Sequence, residues 1–167
     1  AYRHALAYAH ERVQSRSISS DSKEPVSIIH HPDVRRMLLQ QKATLEAPRA
    51  VYLQAAAALD TAESHPSPDV PKQAQAALDF LIPIVKGWST ENGTTLTNLA
   101  MQVFGGMGFI EETGAAQFVR DVRITAIYEG TNGIQALDFI GRKTASNGGV
   151  VAKAFITEGR AVAAKLT

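Results

Sequence analysis

Cysteine is absent from the sequence, which excludes disulfide bridges and thiolate metal sites. Long apolar runs are missing as well, and no stretch approaches the roughly 20 residues that a membrane-spanning helix needs. The 17 basic and 16 acidic side chains leave a formal net charge of only +1. So small a charge gives no electrostatic reason to expect a nucleic-acid partner. The first residues also lack the apolar region of a signal peptide.

What is present is an ordinary globular composition, with 45% hydrophobic and 20% charged residues in a chain of 167. This length fits one domain that can bury a core. The chain opens at Ala1, without Met, inside a helical pattern. We therefore expect it to be a segment of a longer protein.

Alanine-rich segments with apolar residues at helical spacing dominate the chain, and no run of alternating strands appears. The pattern predicts an all-α fold, an up-down antiparallel four-helix-type bundle with long helices. One predicted helix starts at Pro32, continues through Pro48 and ends near Ser64. The other predicted helices cover about 1–14, 71–104, 114–124 and 150–165, and one more begins after Glu129 and ends near residue 145. Residues 15–30 are predicted to form a loop, with a short extended piece at 27–29. The apolar stripe of the Pro32 helix is predicted to contain Val34, Met37, Leu38, Leu45, Tyr52 and Leu59, with Gln41 among them.

The segment Tyr128-Glu129-Gly130-Thr131 places one carboxylate just before a predicted helix. Thr131 can cap that helix through its side-chain oxygen. A carboxylate held by a turn and a cap at the mouth of a bundle is a candidate catalytic base. The alternative is that Glu129 only complements the helix dipole, which favours negative charge near a helix N-terminus.

The segment 102–109 contains three glycines within four residues, at Gly105, Gly106 and Gly108. Glycines let the atoms of another molecule approach the backbone closely. The alternative is a helix end followed by a turn. A Rossmann-type nucleotide loop is excluded, because no strand precedes the segment.

Three further clusters are candidates for binding or structure. Arg12 near the end of the first helix either complements the helix dipole or binds a phosphate through its planar guanidinium. His30 and His31 lack a third ligand at metal spacing, so His31 either is solvated or lies near a ligand. The charged residues of 120–123 are predicted to form ion pairs that stabilise the short helix.

Together, the segments 102–109, Arg120-Asp121, 127–131 and Ile134-Gln135 resemble the C-terminal signature of acyl-CoA dehydrogenases in order and spacing. The opening residues 8–12 are similar to the first helix of that family's C-terminal domain. The resemblance covers about residues 1–145, which we predict to be the helical bundle. Residues 146–167 resemble a hinge and the start of the helical extension found in longer members.

The resemblance implies an FAD-dependent acyl-CoA dehydrogenase of fatty acid β-oxidation and lipid metabolism, of which this chain is the C-terminal domain. Glu129 would be the base that removes the α-proton of an acyl-CoA while the β-hydride goes to FAD, giving a trans-2-enoyl-CoA. Tyr128 and Gly130 would wall the acyl pocket. FAD contacts toward the partner subunit's cofactor would come from Arg12, Gln14, Gln102, Val103, Phe104, Gly105 and Gly106. His31 matches a family position near the cofactor, and Thr131 and Asn132 would contact FAD within the subunit. The segment Gln14-Ser15-Arg16-Ser17 departs from the aromatic residue and glycine usual in the family.

The family also implies a homodimer or a dimer of dimers, with an electron-transfer flavoprotein as electron acceptor. The location would be cytoplasmic in a bacterium or the mitochondrial matrix in a eukaryote. We expect the segment alone to be inactive. Two alternatives stay open: an acyl-CoA oxidase on the same fold, and a helical oligomerisation module without catalysis.

Overall fold

The computed structural model describes residues 1–19 and 21–166. Ser20 of the predicted loop and Thr167 of the predicted extension lie outside these residues. The chain divides into two compact units. Unit 1 contains Ala1–Ala47 and Thr90–Tyr128, and unit 2 contains Pro48–Ser89 and Glu129–Thr167. Both units are built mainly of helices, which confirms the all-α prediction. In the described part of the chain, no helix is both long and apolar enough to cross a membrane.

The described residues form seven α-helices. Their bounds are α1 Tyr2–Glu11, α2 Pro32–Ser64, α3 Val70–Phe104, α4 Gly106–Phe109, α5 Ala115–Arg123, α6 Asn132–Asp138 and α7 Val150–Ala163. A π-helical turn, Phe139–Lys143, extends α6. The two long helices are confirmed with bounds close to those predicted. Both continue through an internal proline, Pro48 in α2 and Pro83 in α3.

The prediction of a helix to Gln14 followed by a loop is wrong, because the chain forms a small antiparallel sheet there. Strand β1, Val13–Arg16, pairs with β2, Pro25–Ser27. The helix α1 ends at Glu11, and the backbone of Arg12 is already extended, with ψ of 115°. The Ile28 amide then donates to the Arg12 carbonyl at 2.8 Å. The side chains of β1 are all exposed, so this strand has no buried face to give an alternating pattern.

The core of unit 1 joins α1 to parts of α2 and α3. It contains Ala5, Ala9, Ile28, Met37, Leu38, Ala100, Val103, Phe104 and Ala115. The Tyr8 and Phe104 rings stack over it with centroids 4.1 Å apart. Gln41 is fully buried, and its Nε2 donates to the Met37 carbonyl at 3.3 Å.

The core of unit 2 is centred on Phe80, whose ring lies 5.1 Å from that of Phe139 and 5.6 Å from that of Phe155. The predicted stripe of α2 is wrong in this unit: Tyr52 and Leu59 are 47% and 41% exposed. The smaller Val51, Ala55 and Ala58 pack against the core instead. Small side chains let helices approach closely. The prediction of the apolar stripe favoured bulky residues and therefore missed these small ones.

A packing prediction concerns Gly108 in α4. A Cβ at this position would lie 2.3 Å from the Met101 carbonyl oxygen and 2.9 Å from the Phe104 Cβ. We expect Gly108→Ala to lower the free energy of unfolding by about 2–3 kcal/mol through overpacking, measured by urea denaturation. Gly106→Ala is the control, because a Cβ there meets no atom within 4 Å. An equal loss of stability in both variants would contradict this account.

Candidate functional site

An open groove of about 420 Å³ lies in unit 1 and brings together most of the residues predicted to bind a cofactor there. Its lining consists of Tyr8, Arg12, Gln14, Ser15, Arg16, Ile18, Ile28, His31, Val34, Gln102, Val103, Phe104 and Gly105. Val103, Phe104 and Ile28 also belong to the hydrophobic core, so the floor of the groove is rigid. Residues that are distant in sequence thus meet on one surface.

Three local structures place the polar residues of the groove. Arg12 is the C-cap of α1, and its amide donates to the Tyr8 carbonyl at 2.8 Å. Gln14 lies on β1, and its carbonyl accepts a hydrogen bond from His31 Nε2 at 2.7 Å. This bond sets the Nε2–H tautomer of His31 and ties the start of α2 to β1. His31 therefore has a structural partner in addition to its position in the groove.

The groove is positively charged. Arg12 and Arg16 both line it, and none of its lining residues is acidic. Within the described part of the chain, neither guanidinium group has an ion-pair partner. Guanidinium groups bind carboxylates and phosphates through paired, charge-assisted hydrogen bonds. The groove is therefore suited to an anionic ligand.

The glycine turn leaves its backbone open at the end of the groove. Gly105 has φ of 59°, a left-handed conformation that a side chain would strain. A Cβ at Gly105 or at Gly106 would meet no atom within 4 Å. Both positions leave space for a molecule from outside to approach the main chain, but Gly106 does not line the groove itself.

The loop that carries Glu129 belongs to unit 2 and has an unusual backbone. Glu129 and Gly130 are both left-handed, with φ of 52° and 82°. Non-glycine residues seldom adopt this conformation, because the Cβ then lies too close to the following carbonyl. The Glu129 side chain is exposed. Sequence reasoning identified Glu129 but not its backbone conformation.

The start of α6 anchors this loop from one side. Thr131 is the N-cap, and its side-chain oxygen accepts the Ile134 amide at 3.3 Å, which confirms the predicted cap. Gln135 Nε2 donates to the Glu129 carbonyl at 3.3 Å. The Thr131 cap therefore fixes the start of α6, and Gln135 holds the Glu129 carbonyl directly.

Lys86 of α3 anchors the loop from the other side and was missed by sequence reasoning. Its ammonium group donates to the Gly130 carbonyl at 2.5 Å and to Asn132 Oδ1 at 3.1 Å. Next to it, a Cβ on Gly87 would lie 3.6 Å from the Gln135 Cβ, so α3 and α6 are close at this point. Lys86 lies 44 residues before Gly130. A separation of this size leaves no periodic signal in the sequence.

Two other predicted features, Tyr128 and the charged residues of 120–123, lie in unit 1. Tyr128 is 50% exposed, and its amide donates to the Ile124 carbonyl at 3.0 Å. The predicted ion pairs at 120–123 are confirmed for Arg120, which contacts Glu111 at 2.6 Å. Asp121 instead accepts a hydrogen bond from Gln117. These contacts stabilise α5 and lie outside the groove.

Comparison with known proteins places residues 1–144 in a family described as acyl-CoA dehydrogenase, C-terminal domain. The chain is 50% identical to the 3-methylmercaptopropionyl-CoA dehydrogenase of Ruegeria pomeroyi, over 93% of this chain and 26% of that protein. It is 40% identical to the broad-specificity linear acyl-CoA dehydrogenase FadE5 of Mycobacterium tuberculosis, over 89% of this chain and 25% of that protein. The chain thus spans about a quarter of the length of these relatives.

Solved structures agree with the fold. The Caenorhabditis elegans ACDH-11 complex with C11-CoA matches with a TM-score of 0.72 at 22% identity, over 86% of this chain and 22% of that one. The butyryl-CoA dehydrogenase of Megasphaera elsdenii matches with a TM-score of 0.61 at 25% identity, over 84% of this chain and 31% of that one. The helical architecture is therefore shared with these proteins.

The helix cap at Thr131 gives a prediction for stability. Thr131→Ala removes the oxygen that accepts the Ile134 amide, and we expect the free energy of unfolding to fall by about 1 kcal/mol. Chemical denaturation measures the change. Thr131→Ser keeps the hydroxyl and serves as the control. If the serine variant lost as much stability as the alanine variant, the hydrogen bond would not be the cause.

Proposed function

The chain belongs to the acyl-CoA dehydrogenase family through its C-terminal domain, and on this premise we propose that the complete protein is an FAD-dependent acyl-CoA dehydrogenase. The reaction would convert an acyl-CoA thioester into its trans-2-enoyl product. The observation that carries the proposal is the Glu129 loop, which lies inside the family match and is held by hydrogen bonds on both sides. Residues 1–145 would form the catalytic bundle, and residues 146–167 would begin an extension.

Glu129 is the proposed base for the α-proton. The α-proton of a thioester is weakly acidic, so a general base must be held close to it and correctly oriented. The bonds from Gln135 and Lys86 hold two successive carbonyls of this main chain, those of Glu129 and Gly130. A backbone fixed in this way limits the directions in which the Glu129 side chain can extend. Tyr128 and Gly130, the chain neighbours of Glu129, are proposed to border the acyl group.

The groove of unit 1 is the proposed site for one part of FAD, its diphosphate. Arg12 and Arg16 supply positive charge without an opposing carboxylate in the lining. Arg12 would bind the diphosphate, with Gln14, His31 and Gln102 beside it and Val103, Phe104, Gly105 and Gly106 along the cofactor. Thr131 and Asn132 are proposed to contact the FAD of their own subunit. Bound FAD supplies the acceptor for the substrate's β-hydride.

The substrate class, partners and location are proposed on the same basis. Two relatives are named for acyl-CoA thioesters of different structure, a methylmercaptopropionyl and a linear acyl group. This supports an acyl-CoA substrate. A homodimer or dimer of dimers would let the groove receive FAD from the partner subunit, and an electron-transfer flavoprotein would accept the electrons. The enzyme would act in the cytoplasm of a bacterium or in the mitochondrial matrix of a eukaryote.

The base assignment predicts that Glu129→Gln lowers kcat by about 1,000-fold in the complete flavin-loaded enzyme, because the amide cannot accept the α-proton. Turnover of butyryl-CoA and 3-methylmercaptopropionyl-CoA with an artificial electron acceptor measures the change. The flavin absorbance should stay unchanged. Glu112→Gln, at an exposed carboxylate in the turn before α5, is the matched control. Near-normal turnover in Glu129→Gln would overturn the assignment.

The groove assignment predicts that Arg12→Ala weakens FAD binding. Loss of a charge-assisted hydrogen bond should raise the Kd of FAD by about 30-fold, measured by titrating the apoenzyme with FAD. Arg3→Ala is the control, because it removes an exposed arginine from the same helix outside the groove. Equal FAD affinity in both variants would exclude Arg12 as a cofactor ligand.

A further inference from the structure

We infer that Lys86 is a positioning residue for the catalytic base, an inference that rests on the proposed role of Glu129. Its ammonium group holds the Gly130 carbonyl and Asn132 Oδ1 at the same time. These two acceptors lie on either side of Thr131, the cap of α6. Lys86 thus connects the loop that carries Glu129 to the long helix α3.

The loop needs such a connection because its backbone is intrinsically unfavourable. Glu129 is left-handed, and a non-glycine residue keeps this conformation only where the surrounding structure determines it. The bonds from Gln135 and to Thr131 come from within the loop and α6 itself. They can move together with the loop. The Lys86 bonds come from a different helix and fix the loop relative to the core of unit 2.

The chemistry of lysine suits this task. An ammonium group carries three donors, and hydrogen bonds from a charged donor to a neutral carbonyl are stronger than those between neutral groups. Lys86 is half-buried, and its ammonium group uses two donors, one for the Gly130 carbonyl and one for Asn132 Oδ1. A Cβ at the adjacent Gly87 would lie 3.6 Å from Gln135 Cβ, an ordinary contact distance, so α3 and α6 are neighbours at this point. Lys86 of α3 and Gln135 of α6 therefore hold two successive carbonyls, those of Gly130 and Glu129.

Loss of the Lys86 bonds would affect catalysis by changing the position of the Glu129 carboxylate. The Gly130 carbonyl follows Glu129 by one peptide unit, so releasing it frees the dihedral angles that direct the carboxylate. A displacement of about 1 Å in a reacting group can lower the rate by about 100-fold. Proton abstraction depends directly on where this carboxylate lies. Loss of Lys86 should therefore affect kcat more than KM.

The test uses the complete flavin-loaded enzyme with Lys86→Met, which keeps a long apolar stem and removes the donors. Reduction of the flavin by butyryl-CoA is followed in single turnovers, as a rate per bound flavin. We expect the limiting rate of flavin reduction to be about 100-fold lower. The KM for butyryl-CoA, from steady-state turnover, should change by less than about 3-fold. The isotope effect with α-deuterated butyryl-CoA should rise, because removal of the α-proton becomes the slower step. Lys86→Arg keeps charged donors and should recover most of the rate.

Lys72→Met on the same helix is the matched control, because among the described residues Lys72 has no hydrogen-bond or ion-pair partner. A normal rate per flavin in Lys86→Met, combined with an inactive Glu129→Gln, would overturn the inference and leave the proposed function intact. A fully active Glu129→Gln would overturn the proposed function, and the inference with it. If Lys86→Met does not bind flavin, Lys86→Leu, which also lacks a donor, replaces it, and an unreduced rate in that variant would also overturn the inference.

Discussion

A carboxylate can act as a base toward a bound substrate only when the backbone that carries it keeps one conformation. In this chain the proposed base Glu129 and its neighbour Gly130 both have a left-handed backbone. The conformation costs free energy, of about 1–2 kcal/mol for the non-glycine residue. The helix cap at Thr131, the Gln135 amide and the Lys86 ammonium together offset this cost. Three hydrogen bonds within unit 2 thus support this strained stretch of backbone.

The groove of unit 1 combines two features: residues of the hydrophobic core form its floor, and arginine side chains line its edge. Its floor belongs to a core where fully buried Ala5 and Ala9 bring α1 close to its neighbours. Its edge carries Arg12 and Arg16, whose charges no lining carboxylate neutralises. A groove lined by core residues and by two guanidinium groups without an ion-pair partner among the described residues is preorganised for an anion, because none of the described ion pairs has to break before the ligand binds.

Much of the secondary structure could be predicted from the sequence. The start of α2 at Pro32 and the cap at Thr131 follow from chemistry confined to a few neighbouring residues. The prediction failed where local patterns carry no information. The hairpin after Arg12 has a fully exposed first strand, so no alternation marks it. In the second half of α2, alanines rather than Tyr52 and Leu59 face the core, because close helix packing favours small side chains.

The sequence by itself determined the helical class, the family motif and the identity of Glu129 as candidate base, because these depend on residue type and short spacing. Only the tertiary structure decided how the motif residues are held. It brought Arg12, His31 and Gln102 to one groove, and it brought Lys86 to a carbonyl 44 residues away. Hydrogen bonds between distant segments depend on how helices pack, and packing is a property of the whole chain that no local pattern records.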